Sequence, residues 1–205
     1  MDATEPLRAW NRLENADGIL LRAVTMGDAE EVFAIHGDPR VYELDPDHRH
    51  RDVRHSREFL RPQVQHWAAY GFGYWAVLVP RELWEDGPAG TGDLDGNRVF
   101  AGMGGIQHHA VAGLPVLNVY FRLAPEVHGH GIARRIVEAS IETADEVAPG
   151  VDLVVRTRPA NAAARRVAVR AGFVDEGLEP GTTDMQLLRL VRHRPAPFRP
   201  GAAEV

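Results

Sequence analysis

Residues 128–133 read His-Gly-His-Gly-Ile-Ala, and a helical pattern begins directly after them. Three chemistries suit such a stretch: a metal site on the imidazoles, an anion cradle on the backbone, or a plain turn. Glycine removes the Cβ that would keep a charged group away from the backbone. The first amides of a helix point outward together, at the positive end of its dipole. The cradle therefore accounts for both glycines and for their place ahead of a helix. A metal reading would draw on His128 and His130, with His108 and His109 on a neighbouring strand. It lacks the His-x-x-x-His spacing of a helical site and a carboxylate in a ligand position, so no metal is expected. The stretch is not a GxxxxGK[ST] loop, because the Lys and the Ser or Thr are missing. Nor is it GxGxxG, because Arg134 stands where the last glycine belongs.

Composition removes several other chemistries. The 205 residues contain no cysteine, which excludes disulfides, thiolate metal sites and a cysteine nucleophile. All 23 basic residues are arginine, so Schiff-base chemistry on lysine is excluded as well. The 29 acidic residues outnumber them, for a net charge of −6, which argues against a nucleic-acid partner. No run approaches the ~20 apolar residues of a membrane span, and the start is too polar for a signal peptide. The expectation is a soluble cytoplasmic protein.

The elements that must position this loop follow from periodicity. Residues 1–17 and the proline-rich 193–205 read as loose ends around one domain, 18–192. Strands are expected at 19–25, 74–80, 99–109, 115–125 and 151–157, with two more in FVDEG and DMQLLRLVR. Helices are expected at 28–38 with Asp28 as cap, at 51–69, from Gly131 to about 147, and after Asn161 with Gly172 as stop. Residues 39–50 read as a polar loop, and the histidines of DHRHRDVRH as solvated. Residues 81–98 read as a long acidic excursion. The aromatic group Trp67, Tyr70, Phe72, Tyr74 and Trp75 suits a packed helix–sheet core better than a pocket wall. The order β-α-α-β-β-β-α-β-α-β-β is α+β, with a mostly antiparallel sheet and about four helices.

In that order, two motifs carry a resemblance. His128-Gly129-His130-Gly131-Ile132-Ala133 resembles the Arg/Gln-x-x-Gly-x-Gly/Ala loop of the GNAT superfamily of N-acetyltransferases. Asn161, opening a helix that ends in Ala171-Gly172-Phe173, resembles that family's second motif. NAAARRVAVRAGF, the opening LRAVTMGDAEEVFAIHGDPRVYEL and the late Asp184 are similar to the branch containing ribosomal-protein N-terminal acetyltransferases. The resemblance spans about residues 18–192. It implies a sheet splayed at an acyl-CoA site and transfer of an acetyl group from acetyl-CoA to a primary amine, of a small molecule or a protein N-terminus.

Carried onto this chain, the resemblance implies that backbone groups of Phe121 and Leu123 pair with the pantetheine arm. Amides from Gly129 to Ala133, with His128 and His130 in the same loop, take the pyrophosphate. Asn161 contacts the pantetheine or caps its own helix, and Arg134 and Arg165 reach outer phosphates or lie on solvated faces. Three departures stand out: His128 heads the loop in place of Arg or Gln, and Ala164 and Ala168 stand where relatives carry hydroxyls. Relatives often use a carboxylate base near the central strand. Here the candidates are Glu126 in the loop, and Glu43 and Asp45 in the segment 39–50. The rival reading is a non-catalytic acyl-CoA-binding or sensor domain. A homodimer through an exposed final strand is a further expectation.

Overall fold

The fold is taken from a computed structural model, which describes residues 10–84 and 97–192. The tail 193–205, residues 1–9 and most of the expected acidic excursion (85–96) lie outside the described residues. Eight strands form one sheet in the order β1-β2-β3-β4-β5-β6-β8-β7. They are β1 (Arg12–Glu14), β2 (Leu20–Ala23), β3 (Tyr74–Pro80), β4 (Arg98–Val111), β5 (Leu114–Leu123), β6 (Leu153–Thr157), β7 (Val174–Leu178) and β8 (Gln186–Leu190). The helices are α1 (Ala29–His36), α2 (Val53–Tyr70), α3 (Ile132–Val147) and α4 (Ala162–Arg170). Every neighbouring pair is antiparallel except β5 and β6, which are parallel and joined through α3. The α+β expectation holds, with four helices among the described residues.

Strand β3 is buried along nearly its whole length, with Trp75, Ala76, Val77 and Val79 at 0% exposure, so it forms the middle of the core. Next to it, β4 carries Gly104, and an added Cβ there would lie 2.6 Å from Ile136 Cγ2 of α3. The Ile136 side chain therefore rests directly on the strand backbone at Gly104, which fixes the height of α3 above the sheet. Burying Ile136 contributes about 1.5–3 kcal/mol, a central term for this contact. Ile132, Val137, Ser140 and Ala144 complete the buried stripe at helical spacing. The β4–β5 hairpin closes on Ala112 and Gly113, at φ 49° and 77°, the left-handed pair that a two-residue turn needs.

Several expectations need correction. Residues 10–17, expected to be loose, include β1, which pairs with β2. Trp75 Nε1 donates to Trp10 O at 2.7 Å, and Arg98 reaches Glu14 and Gly18 O, so distant residues hold this strand in place. Asp28 does not cap α1 with its side chain. It accepts hydrogen bonds from Nη1 and Nη2 of Arg22 and from the Thr25 amide instead, while Thr25 caps the turn before it. The last strand in sequence, β8, is not an edge: it lies between β6 and β7, and the edge falls to β7. The histidines of 48–55 are not all solvated. His50 is buried, its ring 4.6 Å from buried His36 and 5.2 Å from Phe59. Trp67, Phe72, Tyr74 and Trp75 are core residues, and only Tyr70 of the aromatic group is exposed.

Candidate functional site

The two parallel strands stay together only briefly. Leu117, Asn118 and Val119 of β5 pair with Leu153, Val154 and Val155 of β6. Beyond that both continue, to Leu123 and Thr157, without pairing with each other, so a gap opens at their carboxyl ends. Which backbone groups face the gap follows from the two-residue alternation of a strand. Leu117 N–H donates toward β6, to Asp152 O at 2.9 Å, and Ala124 N–H donates toward β4, to Ala101 O at 2.9 Å. Odd residues therefore turn their peptide groups to the β6 side, which puts those of Phe121 and Leu123 in the gap. These are the two residues assigned from the resemblance to an added, strand-like partner.

Past β5 the chain makes a short turn over Pro125–Val127 and enters the glycine loop. His128, Gly129, His130 and Gly131 are all exposed. Gly131, at φ 75°, is the N-cap of α3, and no side chain caps that end. The first amides of the helix, at Ile132, Ala133 and Arg134, have no carbonyl one turn earlier to bond. An added Cβ at Gly129 or Gly131 would meet nothing within 4 Å. Open space thus lies in front of uncapped amides at the positive end of a 16-residue helix, which fits a pyrophosphate.

The remaining sequence candidates are more committed. Asn161 caps α4, its Oδ1 accepting from Ala164 N–H at 3.1 Å. Arg134 pairs with Glu138 at 2.8 Å, and Arg165 with Asp175 at 2.7 Å. Ala164 and Ala168 are buried within α4. Glu126 accepts from Arg40 at 2.7 Å, Asp45 from Arg158 at 2.6 Å and from His48 at 2.8 Å, while Glu43 is exposed. Partial burial pushes the Asp45 carboxyl up, but the bonds from Arg158 and His48 outweigh it and hold the group below its ordinary value. Among the described residues, no group of three or more His, Asp or Glu is arranged to hold a metal ion.

On the opposite face of the sheet from α3, β5 presents Asn118, Tyr120 and Arg122. Asn118 Nδ2 donates to Tyr74 Oη at 3.0 Å, and its Oδ1 is buried without a partner. The rings of Tyr74 and Tyr120 stack at 4.9 Å. Burial raises both hydroxyl pKa values, so each ring is neutral at ordinary pH. Arg122 lies 3.8 Å from the Tyr42 ring centre and donates to Val41 O at 3.2 Å. Three arginines thus fasten the loop between α1 and α2 beside the gap: Arg40 to Glu126, Arg122 to Val41 and Tyr42, and Arg158 to Asp45. Sequence reasoning assigned no role to these ties or to the Asn118–Tyr74 pair. The partners lie 44 to 113 residues apart, and no local pattern announces them.

Comparisons with known proteins bear on the family and the fold. Residues 19–174 match the family model of the acetyltransferase (GNAT) domain. Among solved structures, the chain is similar to an acetyltransferase from Agrobacterium tumefaciens at 19% identity and TM-score 0.65, over 88% of this chain and 94% of that one. It is similar to ribosomal-protein-S5-alanine acetyltransferase from Vibrio fischeri at 18% identity and TM-score 0.61, over 92% and 99% of the two chains. A third likeness is to yncA of Salmonella typhimurium, solved with its cofactor acetyl-CoA, at 16% identity and TM-score 0.59, over 90% and 99%. At these identities the solved structures show the shared fold. No helix among the described residues is long and apolar enough to cross a membrane.

Proposed function

The chain belongs to the GNAT family of acetyltransferases, and from that premise we propose that it moves an acetyl group from acetyl-CoA directly to a primary amine of a small molecule or a protein N-terminus. The observation that carries this reading is the parting of β5 and β6 beside the uncapped end of α3. The gap offers strand-like backbone groups at Phe121 and Leu123 to the pantetheine amides. Amides from Gly129 to Ala133 take the pyrophosphate, with His128 and His130 flanking it. Asn161 acts through its helix cap, and Arg134 and Arg165 reach the outer phosphates only by leaving Glu138 and Asp175. Transfer joins the amine nitrogen to the acetyl carbon and breaks the carbon–sulfur bond. CoA leaves with the proton that the nitrogen gives up.

The amine must be neutral when it attacks. Glu43, Asp45 and Glu126 remain the candidate bases, but two of them are held by arginines and Asp45 is a weakened base. These contacts favour an acceptor that arrives already deprotonated, such as an α-amino group with a pKa near ~8. A cytoplasmic location is part of the proposal. So is pairing of two copies through the edge at β7, which light scattering on the purified protein checks.

A thermal-shift titration with acetyl-CoA tests the core of the reading, with adenosine phosphate as control. Saturation near ~100 times Kd adds roughly 2.7 kcal/mol, and each kcal/mol moves the midpoint by about 2–4 °C. A rise of several degrees beyond the control is expected, followed by amine-dependent release of CoA. No shift at millimolar acetyl-CoA would refute the donor site. Binding without turnover across a broad amine panel would favour the sensor reading instead.

A further inference from the structure

The loop between α1 and α2 begins and ends on two buried histidines. His36 closes α1 at 0% exposure, and His50, at 5%, stands just ahead of the Asp52 cap of α2. Their ring centres lie 4.6 Å apart and His50 N–H donates to His36 O at 2.9 Å, so the base of the loop is drawn shut. Each ring has one hydroxyl partner: His36 Nδ1 meets Tyr42 Oη at 2.9 Å, and His50 Nδ1 meets Ser56 Oγ at 2.8 Å. As neutral rings, both can accept from those hydroxyls. A protonated ring is a donor at both nitrogens, and His36 Nε2 is buried without a hydrogen-bond partner. Phe59 packs 5.0 Å and 5.2 Å from the two ring centres, and His55 of α2 stacks on His50 at 4.5 Å.

The charged groups that act on the pair all oppose a proton there. Arg122 from β5 and His55 from α2 act on both rings, and His50 acts on His36; among the described residues no carboxylate acts on either. The carboxylates of the neighbouring elements are engaged elsewhere: Asp38 with Arg40, Asp45 with Arg158 and His48, Asp52 with the His55 amide, and Glu30 with Arg57 at 3.6 Å. Glu43 and Asp47 are exposed. A proton on either ring therefore lacks a compensating partner while the loop is shut, and gains water once it opens. We propose that the His36–His50 pair is an acid-released clasp: uptake of a proton by either ring parts the two and opens residues 37–50 while the sheet stays folded. Opening starts at the base of the loop. The tie from Asp45 to Arg158 outlasts it, because the bonds from Arg158 and His48 hold the Asp45 carboxyl below its ordinary value. The loop so released is the one fastened beside the gap, and no ligand takes part in its opening.

Hydrogen exchange of the full chain, read by mass spectrometry, tests this. Peptides from 37–50 are compared with peptides from β3 at pH 7 and pH 5, each rate corrected for the intrinsic pH dependence of exchange. A ring with the ordinary value of ~6.5 in the open loop takes up its proton over that interval, so protection of the loop falls about 25-fold for one ring and roughly 600-fold for both. Low urea leaves loop exchange unchanged but speeds that of β3, the mark of a local opening. Loop protection that stays flat between the two pH values overturns the proposal, and so does a loop that exchanges in step with β3 at every urea concentration. The double variant His36→Asn/His50→Asn removes the fall, whereas Asp45→Asn keeps it. A fall kept in the histidine variant, or lost in Asp45→Asn, assigns it to other groups and overturns the clasp. Where the double variant does not fold, Tyr42→Phe keeps both rings, removes one hydroxyl partner and lowers loop protection already at pH 7; unchanged protection there overturns the proposal.

Discussion

Gly131→Ala separates the cost of a backbone conformation from the cost of filling a ligand site, because the protein contains a matched control. Gly131 and Gly113 sit at φ 75° and 77°, and an added Cβ at either meets nothing within 4 Å. Alanine in the left-handed region costs about 1–2 kcal/mol at either position. For a chain of this size that lowers the melting midpoint by roughly 2–8 °C. The two glycines differ in what the open space is for: Gly113 lies in the β4–β5 hairpin, whereas Gly131 lies in front of the first amides of α3. A methyl group there displaces the phosphate from at least one amide. A hydrogen bond to a charged group is worth about 1.5–3 kcal/mol, or roughly tenfold to a hundredfold in Kd. Calorimetric titration with acetyl-CoA, beside thermal melts of both variants, reads the two effects separately. Similar melting losses are expected, with affinity lost only in Gly131→Ala. Equal acetyl-CoA affinity in the two folded variants would show that the phosphate binds elsewhere. Valine is a poorer probe, since a β-branched side chain at positive φ adds strain of its own.

Three further outcomes are expected. Burial first, and then the charges of His50, Arg122 and His55, lowers His36 well below the usual imidazole value, and burial, with the charges of His55 and Arg122, lowers His50 from 6.5 to about 4. The unfolded chain then binds protons more readily than the folded one across that interval, so stability is full above about pH 6.5 and falls as the pH drops toward 4. Urea midpoints at about pH 7 and pH 5 measure this fall, and His50→Gln makes it shallower; a flat profile in the parent protein contradicts it. Glu43→Gln, Asp45→Asn and Glu126→Gln each lower kcat/KM by less than about tenfold, whereas loss of a true general base costs roughly a hundredfold or more. A larger drop in any one of them identifies the base. Ala112→Gly relieves a left-handed alanine at φ 49° and raises stability by about 0.5–1 kcal/mol in urea unfolding, after allowing for the greater freedom of glycine in the unfolded chain.

Local chemistry carried much of this fold into the sequence. The break at Gly71, in the left-handed cap of α2, and the cap of α4 at Asn161 are places where one residue dictates the backbone. The loop at Gly129 and Gly131 was legible for the same reason. Strand β1 was not, because three residues with only Leu13 apolar carry no period, and Trp75 and Arg98 hold that stretch from far along the chain. Asp28 is instructive in another way. Its type and place suited a helix cap, but Arg22 on the neighbouring strand offered a bidentate partner that no helix rule foresees. On the acceptor side the residues that matter are joined through space, Asn118 with Tyr74 and Asp45 with Arg158, so pattern alone could name candidate carboxylates but not say which were already engaged.

The three arginine ties on the loop between α1 and α2 also bear on how the protein behaves in alkaline solution. A lysine tether would begin to release near pH ~10, as its ammonium loses a proton. Guanidinium groups stay charged far beyond that, and hydrogen bonds to Asp38 and Asp45 raise the Arg40 and Arg158 values further. Free amines become abundant over the same range in which lysine would let go. The loop therefore keeps its place while the nucleophile population grows, and the alkaline limb of any rate profile belongs to the acceptor and not to the fastening of the site.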